Sequence, residues 1–160
     1  TFIYAFLLGA GVGKIAEILD CSPAQANISM QNFYEALPTL KQLKSEASRA
    51  ASMGWMKGLD GRILKIGSDH LALSVYLQGG ETVLMRIANV LWQNQAKKES
   101  INFKQCAWVH DEWQTEVDAD QAERLGEIQV QSIIDAGTHF NLNCPMDGEA
   151  KIGRNWLETH

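Results

Sequence analysis

The sequence has too little cysteine for a disulfide framework or a zinc site. It has three, Cys21, Cys106 and Cys144, an odd number with no CxxC pair. That usage fits a reducing cytoplasm. No apolar run approaches the roughly 20 residues that cross a bilayer, and the opening TFIYAFLLGAG lacks the basic stretch that begins a signal peptide, so no membrane partner is expected. Basic residues are also scarce. With 14 Lys and Arg against 19 Asp and Glu, the net charge is −5, so the surface as a whole does not attract phosphate, although one local face still can. Internal repeats, low-complexity tracts and charged linkers are absent, as is an HExxH pair or a second acid cluster of the kind a small metal-dependent hydrolase would use. The run Gly9-Ala10-Gly11-Val12-Gly13-Lys14 has neither the GxxxxGK[ST] spacing nor the preceding strand of a phosphate-binding loop. The first residue is Thr1 rather than Met, and it stands directly in an apolar segment that reads as the end of a helix closed by the glycines.

What is present suits one domain with a real core: 160 residues, 46% hydrophobic, with five Trp. After a short helix over Lys14 to Asp20, Ser22-Pro23-Ala24-Gln25 combines a hydroxyl N-cap, Pro at the first helical position and Gln at the third. The helix it starts carries Ile28, Phe33 and Leu37; Pro38 ends or restarts it, and Leu40, Leu43, Ala47 and Ala50 continue to about Ser52. Asp60-Gly61 between WMKGL and RILKI predicts a hairpin. A long helix is expected from Asp69 to Lys97, with Leu77, Leu84, Ile87 and Leu91 in its core face. His70, Ser74 and Gln78 follow at i, i+4 and i+8 along it, and Gly79-Gly80 beside them suggests a close approach to the backbone. A second hairpin is expected over Ile101 to Val117. Asp118 and Gln121 then form a possible capping box for a helix reaching Gly137 through Leu125, Ile128, Ile133 and Ile134. Phe140 to Cys144 reads as an edge strand, followed by a tail containing Trp156. The pattern is α+β: β-hairpins packed with long helices.

The second hairpin carries the chemistry. Alternation puts Phe103, Gln105, Ala107 and Val109 on one face and Cys106, Trp108 and His110 on the other, and the run halts at adjacent acids, Asp111 and Glu112. Where such a turn usually takes Asn-Gly or Asp-Gly, this one takes His-Asp-Glu, a nitrogen and two hard oxygen ligands. Magnesium needs only one or two protein carboxylates when phosphates supply the rest. A solvated acidic turn is the other reading of the same residues.

Three motifs in order resemble those of the family A DNA polymerases. AWVHDE, Ala107 to Glu112, resembles motif C, the Val-His-Asp-Glu hairpin of the palm. The helix with His70, Ser74 and Gln78, running into LQGGE, resembles the palm helix along the minor groove of the primer–template. TFIYAFLLGAG resembles the second half of motif B on the fingers. WMKGLDGR and KIGRNWLETH look closest to replicative polymerases of T-seven-type short-tailed phages, and the likeness runs through all 160 residues as the carboxyl-terminal portion of such an enzyme.

The resemblance implies a palm with partial fingers, residues 1–53 belonging to the fingers and 54–160 to the palm. It implies a nucleotidyltransferase working in the bacterial cytoplasm on primer–template DNA and deoxynucleoside triphosphates with Mg2+. Asp111 would hold the catalytic metals, supported by Glu112, and His110 would contact the primer end. His70, Ser74 and Gln78 would face the minor groove, whose acceptors are common to every base pair. Tyr4 and Leu8 would line the nucleotide pocket. The chain departs from the family pattern at Ala5, usually Gly, at Leu8, usually Tyr, and at Ser74, often Asn. Motif A, with the second metal-binding aspartate, and the Arg and Lys that begin motif B are not in this sequence, so the chain is expected to be inactive without an amino-terminal portion of the same polymerase. Thr1 is the residue type required directly after an excised intein, which gives one route to such a division. A non-catalytic DNA-binding or assembly module that kept the palm fold is the alternative.

Overall fold

The computed structural model describes residues 2–159; Thr1, on which the intein reading rests, lies outside the described residues. The backbone divides into two compact units, one up to Gly80 and one from Glu81.

The first unit begins with four helices, α1 (Phe2–Leu7), α2 (Val12–Leu19), α3 (Pro23–Ala36) and α4 (Pro38–Ala51). Gly9 stops α1 in the left-handed region, at φ +87, and a Cβ built on it would lie 2.6 Å from the carbonyl oxygen of His70. Only glycine satisfies both conditions without displacement. The capping box of α3 forms as its residues predict: Ser22 Oγ accepts from the Gln25 amide at 3.3 Å, and Gln25 Oε1 accepts from the Ser22 amide at 3.0 Å. Pro38 cannot donate to a continuing helix, so α3 ends and α4 starts one residue apart, across Leu37. Phe6, Ile15, Ala16 and Ala26 form the core beneath these helices, with Phe33 edge-on to Phe6 at 5.0 Å and Lys44 over the Tyr34 ring at 4.9 Å.

Strands β1 (Trp55–Lys57) and β2 (Ile63–Lys65) make the first antiparallel hairpin, and its turn contains the expected Asp60-Gly61, with Gly61 at φ +80 and Asp60 holding Arg62 Nε at 2.7 Å. Leu64 explains one of the two helical glycines, because a Cβ at Gly79 would lie 3.0 Å from Leu64 Cδ1. The body approaching that backbone is thus a leucine of this chain. Gly80 has open space around its Cβ position. The long helix starts as a 3-10 turn, Asp69–Leu71, and becomes α5 (Ala72–Lys98).

In the second unit, the remainder of α5 packs with β3 (Phe103–Val109), β4 (Glu112–Val117), α6 (Ala122–His139) and α7 (Trp156–Thr159). Trp92 is fully buried among Ala96, Ile101, Leu125 and Ile128, with Phe103 stacked against it at 4.8 Å. Leu91, expected in the core face, is instead exposed. Ala88 and Ala96, one turn to either side of Trp92 and both buried, leave room for the indole, which takes the inward position. Arg124 at the start of α6 grips Glu99 through two guanidinium bonds of 2.8 Å, and this lowers the Glu99 pKa to about 2.

Two further expectations are corrected. Asp118 gives no side-chain cap; a 3-10 turn, Ala119–Gln121, precedes α6, and the Gln121 amide donates to the Asp118 carbonyl at 2.9 Å, so backbone takes the donor meant for the carboxylate. Phe140 to Cys144 forms no strand. Asn141 is left-handed at φ 51, its amide returns to Thr138 and that of Leu142 to Gly137, and this αL closure of α6 turns the chain back so that Leu142 packs beside Leu84, Met85 and Ala136. No helix among the described residues is long and apolar enough to cross a membrane.

Candidate functional site

The β3–β4 hairpin shows how the acidic turn is built. Pairing runs Phe103↔Val117, Lys104↔Glu116 and Gln105↔Thr115, then skips Cys106 to give Ala107↔Gln114, Trp108↔Trp113 and Val109↔Glu112. Cys106 is an extra residue in β3, a bulge that resets the alternation. As a result Trp108 lies on the face of Phe103 and Gln105, directly opposite Trp113, with the two indoles 6.2 Å apart and edge to face. Simple period-two reading put it on the opposite face.

The turn itself is the pair His110-Asp111, and Glu112 is already the first residue of β4. His110 takes φ 54. Left-handed backbone is uncommon outside glycine, with His among the side chains that tolerate it better, and such conformations persist where surroundings enforce them. The enforcing contact is Trp108, whose indole Nε1 donates to the His110 carbonyl at 2.9 Å. His110 and Asp111 are both exposed, and the Asp111 carboxylate has no hydrogen bond or ion pair among the described residues.

Glu112 is half-buried and differently held. Gln114, two residues along the same strand and so on the same face, donates its side-chain amide to Glu112 Oε1, and Gln114 Oε1 accepts from the Thr159 hydroxyl of α7 at 3.3 Å. The α7 end is fixed locally by Asn155 and by Arg154, whose amide donates to Glu158 at 2.7 Å. Adjacent in sequence, the two acids thus have separate roles: one free at the apex, one oriented from behind. Among the described residues, no cluster of three or more His, Cys, Asp or Glu side chains is arranged to hold a metal by itself. Asp111 offers unpaired hard oxygens at an accessible apex, a donor set that fits magnesium whose other ligands come from phosphates and water.

A cleft of about 250 Å³ opens beside the apex, lined by Thr82, Arg86, Trp108 and His110. Arg86, Gln114 and the bracing role of Trp108 were not found from sequence. The signal for the first was available: Thr82 and Arg86 continue the spacing of four that runs through His70, Ser74 and Gln78.

The remaining candidates lie in the first unit. Tyr4 and Leu8 are exposed one turn apart at the end of α1, the Leu8 amide donating to the Tyr4 carbonyl at 3.0 Å. Ala5 is half-buried against the α1–α3 core. His70 in the 3-10 turn and Gln78 on α5 are exposed, whereas Ser74 is buried at 7% exposure. These three therefore do not form one uniform solvent face. The Gly9 approach to the His70 carbonyl brings the end of α1 against the start of this segment.

The sequence model described as DNA polymerase family A matches residues 1–158. Curated relatives include the DNA-directed DNA polymerases of Escherichia phage Phieco32, 29% identical, Enterobacteria phage T3, 28%, and Escherichia phage T7, 27%. Each alignment takes in 100% of this chain but only 26–27% of the relative, so the chain spans about a quarter of the length of these proteins. Among solved structures, the POL domain of Pol1 from M. smegmatis, in complex with DNA primer-template and dNTP, matches 94% of this chain and 28% of its own with a TM-score of 0.73 at 17% identity, which establishes the α+β polymerase-domain fold.

Proposed function

This chain belongs to DNA polymerase family A, and from that premise we propose that it carries the motif C half of a polymerase active site and acts in template-directed nucleotidyl transfer. The observation that carries the reading is the braced apex: a left-handed His110, an unpaired Asp111 and a Glu112 oriented by Gln114 in a hairpin of the family's Val-His-Asp-Glu pattern.

In this reading Asp111 holds catalytic Mg2+ at its free carboxylate, with Glu112 beside it. Two such ions, roughly 3.5–4 Å apart, supply the chemistry of activating the primer 3′-hydroxyl and neutralising the leaving pyrophosphate. The protein's own contribution is positioning: Trp108 keeps the apex from relaxing, and Gln114 with Thr159 keeps Glu112 from rotating. His110 contacts the primer end. His70, Ser74 and Gln78 belong to the minor-groove side of the new base pair, and Tyr4 and Leu8 to the nucleotide pocket, where Leu8 replaces an aromatic and reshapes the templating side. Residues 1–53 act as part of the fingers and 54–160 as palm.

One acid pair does not position two metal ions and a triphosphate, so the active enzyme includes a further aspartate on polypeptide corresponding to the upstream part of the relatives, whether covalently continuous with this chain or docked onto it. The test is magnesium-dependent primer extension by this chain combined with that portion. Metal-borne charge stabilisation is worth several kcal/mol, and about 1.4 kcal/mol is tenfold in rate, so Asp111→Ala should cost on the order of a thousandfold. Extension that survives Asp111→Ala would sink the assignment.

A further inference from the structure

The cleft beside the apex has no part in the roles set out above. We infer that Thr82, Arg86, Trp108 and His110 form a phosphate-binding cleft that takes one phosphodiester of the primer strand near its reacting end; the identity of the strand rests on the polymerase reading, the anion chemistry on the cleft itself.

Four features lead to this ligand. Arg86 has no hydrogen bond or ion pair among the described residues, in contrast to Arg62, held by Asp60, and Arg124, held by Glu99 and Glu127. In a chain of net charge −5 that cation is left available, and a guanidinium fork matches two phosphate oxygens at once. His110 contributes a second nitrogen donor when protonated, and Thr82, one helical turn before Arg86, a hydroxyl. Trp108 has committed its N–H to the His110 carbonyl, so it serves as a flat wall that excludes water from one side. Finally, the cleft is small and open: about 250 Å³ lies below the roughly 300–1,000 Å³ of pockets that enclose whole small molecules, which suits a backbone passing through.

The experiment measures binding of a fluorescently labelled recessed primer–template duplex to the 160-residue chain as a function of NaCl concentration. Each neutralised phosphate contributes a slope of about −0.9 in log K against log salt. Arg86→Gln is expected to weaken binding and make the slope shallower by about 0.9, whereas Arg86→Lys retains the wild-type slope with a smaller loss of affinity. An Arg86→Gln protein with wild-type affinity and slope overturns the cleft, and so does a wild-type chain whose duplex binding is insensitive to salt. Primer extension with Asp111→Ala, run in parallel, separates the two claims. Lost extension there together with an unchanged Arg86→Gln slope overturns the cleft alone; retained extension overturns the polymerase reading.

Discussion

Gly9→Ala and Gly13→Ala should move stability in opposite directions, although both glycines belong to the same GAGVGK run. At position 9 the new methyl meets two penalties. The backbone must keep φ +87, which costs a non-glycine residue about 1–2 kcal/mol. The methyl carbon would also start 2.6 Å from the His70 carbonyl oxygen, a backbone atom that cannot rotate away as a flexible side chain does. The loss of unfolded-state entropy on replacing glycine returns only about 0.4–1 kcal/mol. Net destabilisation of about 2 kcal/mol or more follows. At position 13 the residue lies in the first turn of α2 with nothing within 4 Å of the Cβ position, and there alanine should stabilise by up to about 1 kcal/mol. Urea unfolding of the two variants against wild type, followed by circular dichroism, gives the sign directly. Midpoints shifting the same way would refute the claim that the contact of Gly9 with His70 is what requires glycine in this run.

The Glu99–Arg124 pair makes a pH prediction. Glu99 falls from an ordinary 4.5 to about 2 in the folded chain through its hydrogen bonds to Arg124 and Gln95, so its contribution is complete above pH 4.5 and is lost as pH falls from there to 2. Arg124→Gln should flatten that acid limb, and urea midpoints at pH 7, 4 and 2.5 that fall as steeply as wild type would contradict it. Trp108→Phe removes the N–H that holds the His110 carbonyl; at an exposed apex water replaces it, so stability should fall by about 1 kcal/mol or less while primer extension by the combined enzyme drops several-fold. Wild-type extension by this variant would show that the turn holds its shape unaided.

Features governed by residues close in sequence were legible beforehand. The Ser22 cap, the Pro38 restart and the Asp60-Gly61 turn each depend on chemistry within a few positions, and each formed as read. The failures lie where a partner decides. Whether Leu91 or Trp92 turns inward depends on what faces α5, since neighbouring positions differ by 100° around a helix and both are apolar. Phe140 to Cys144 has strand-like composition, but the closure of α6 claims its amides first. At the candidate site, the Val-His-Asp-Glu pattern located the turn, yet composition could not reveal that Asp111 stands free while Gln114 and Thr159 hold Glu112, because that chain of contacts joins residues 45 positions apart. The bulge had no sequence signature at all; it is a property of two strands in register.

That bulge gives β3 one residue more than its pairing requires. Losing Cys106 would leave every partner across the hairpin unchanged, whereas losing a residue from Ala107 to Val109 would swap the sides on which the following indole and turn emerge. The strand therefore has one place where its length can vary by a single residue while the apex stays in phase. Comparing this hairpin with those of other polymerases calls for two frames, one on each side of Cys106, and an alignment forced through without that step would match the wrong faces.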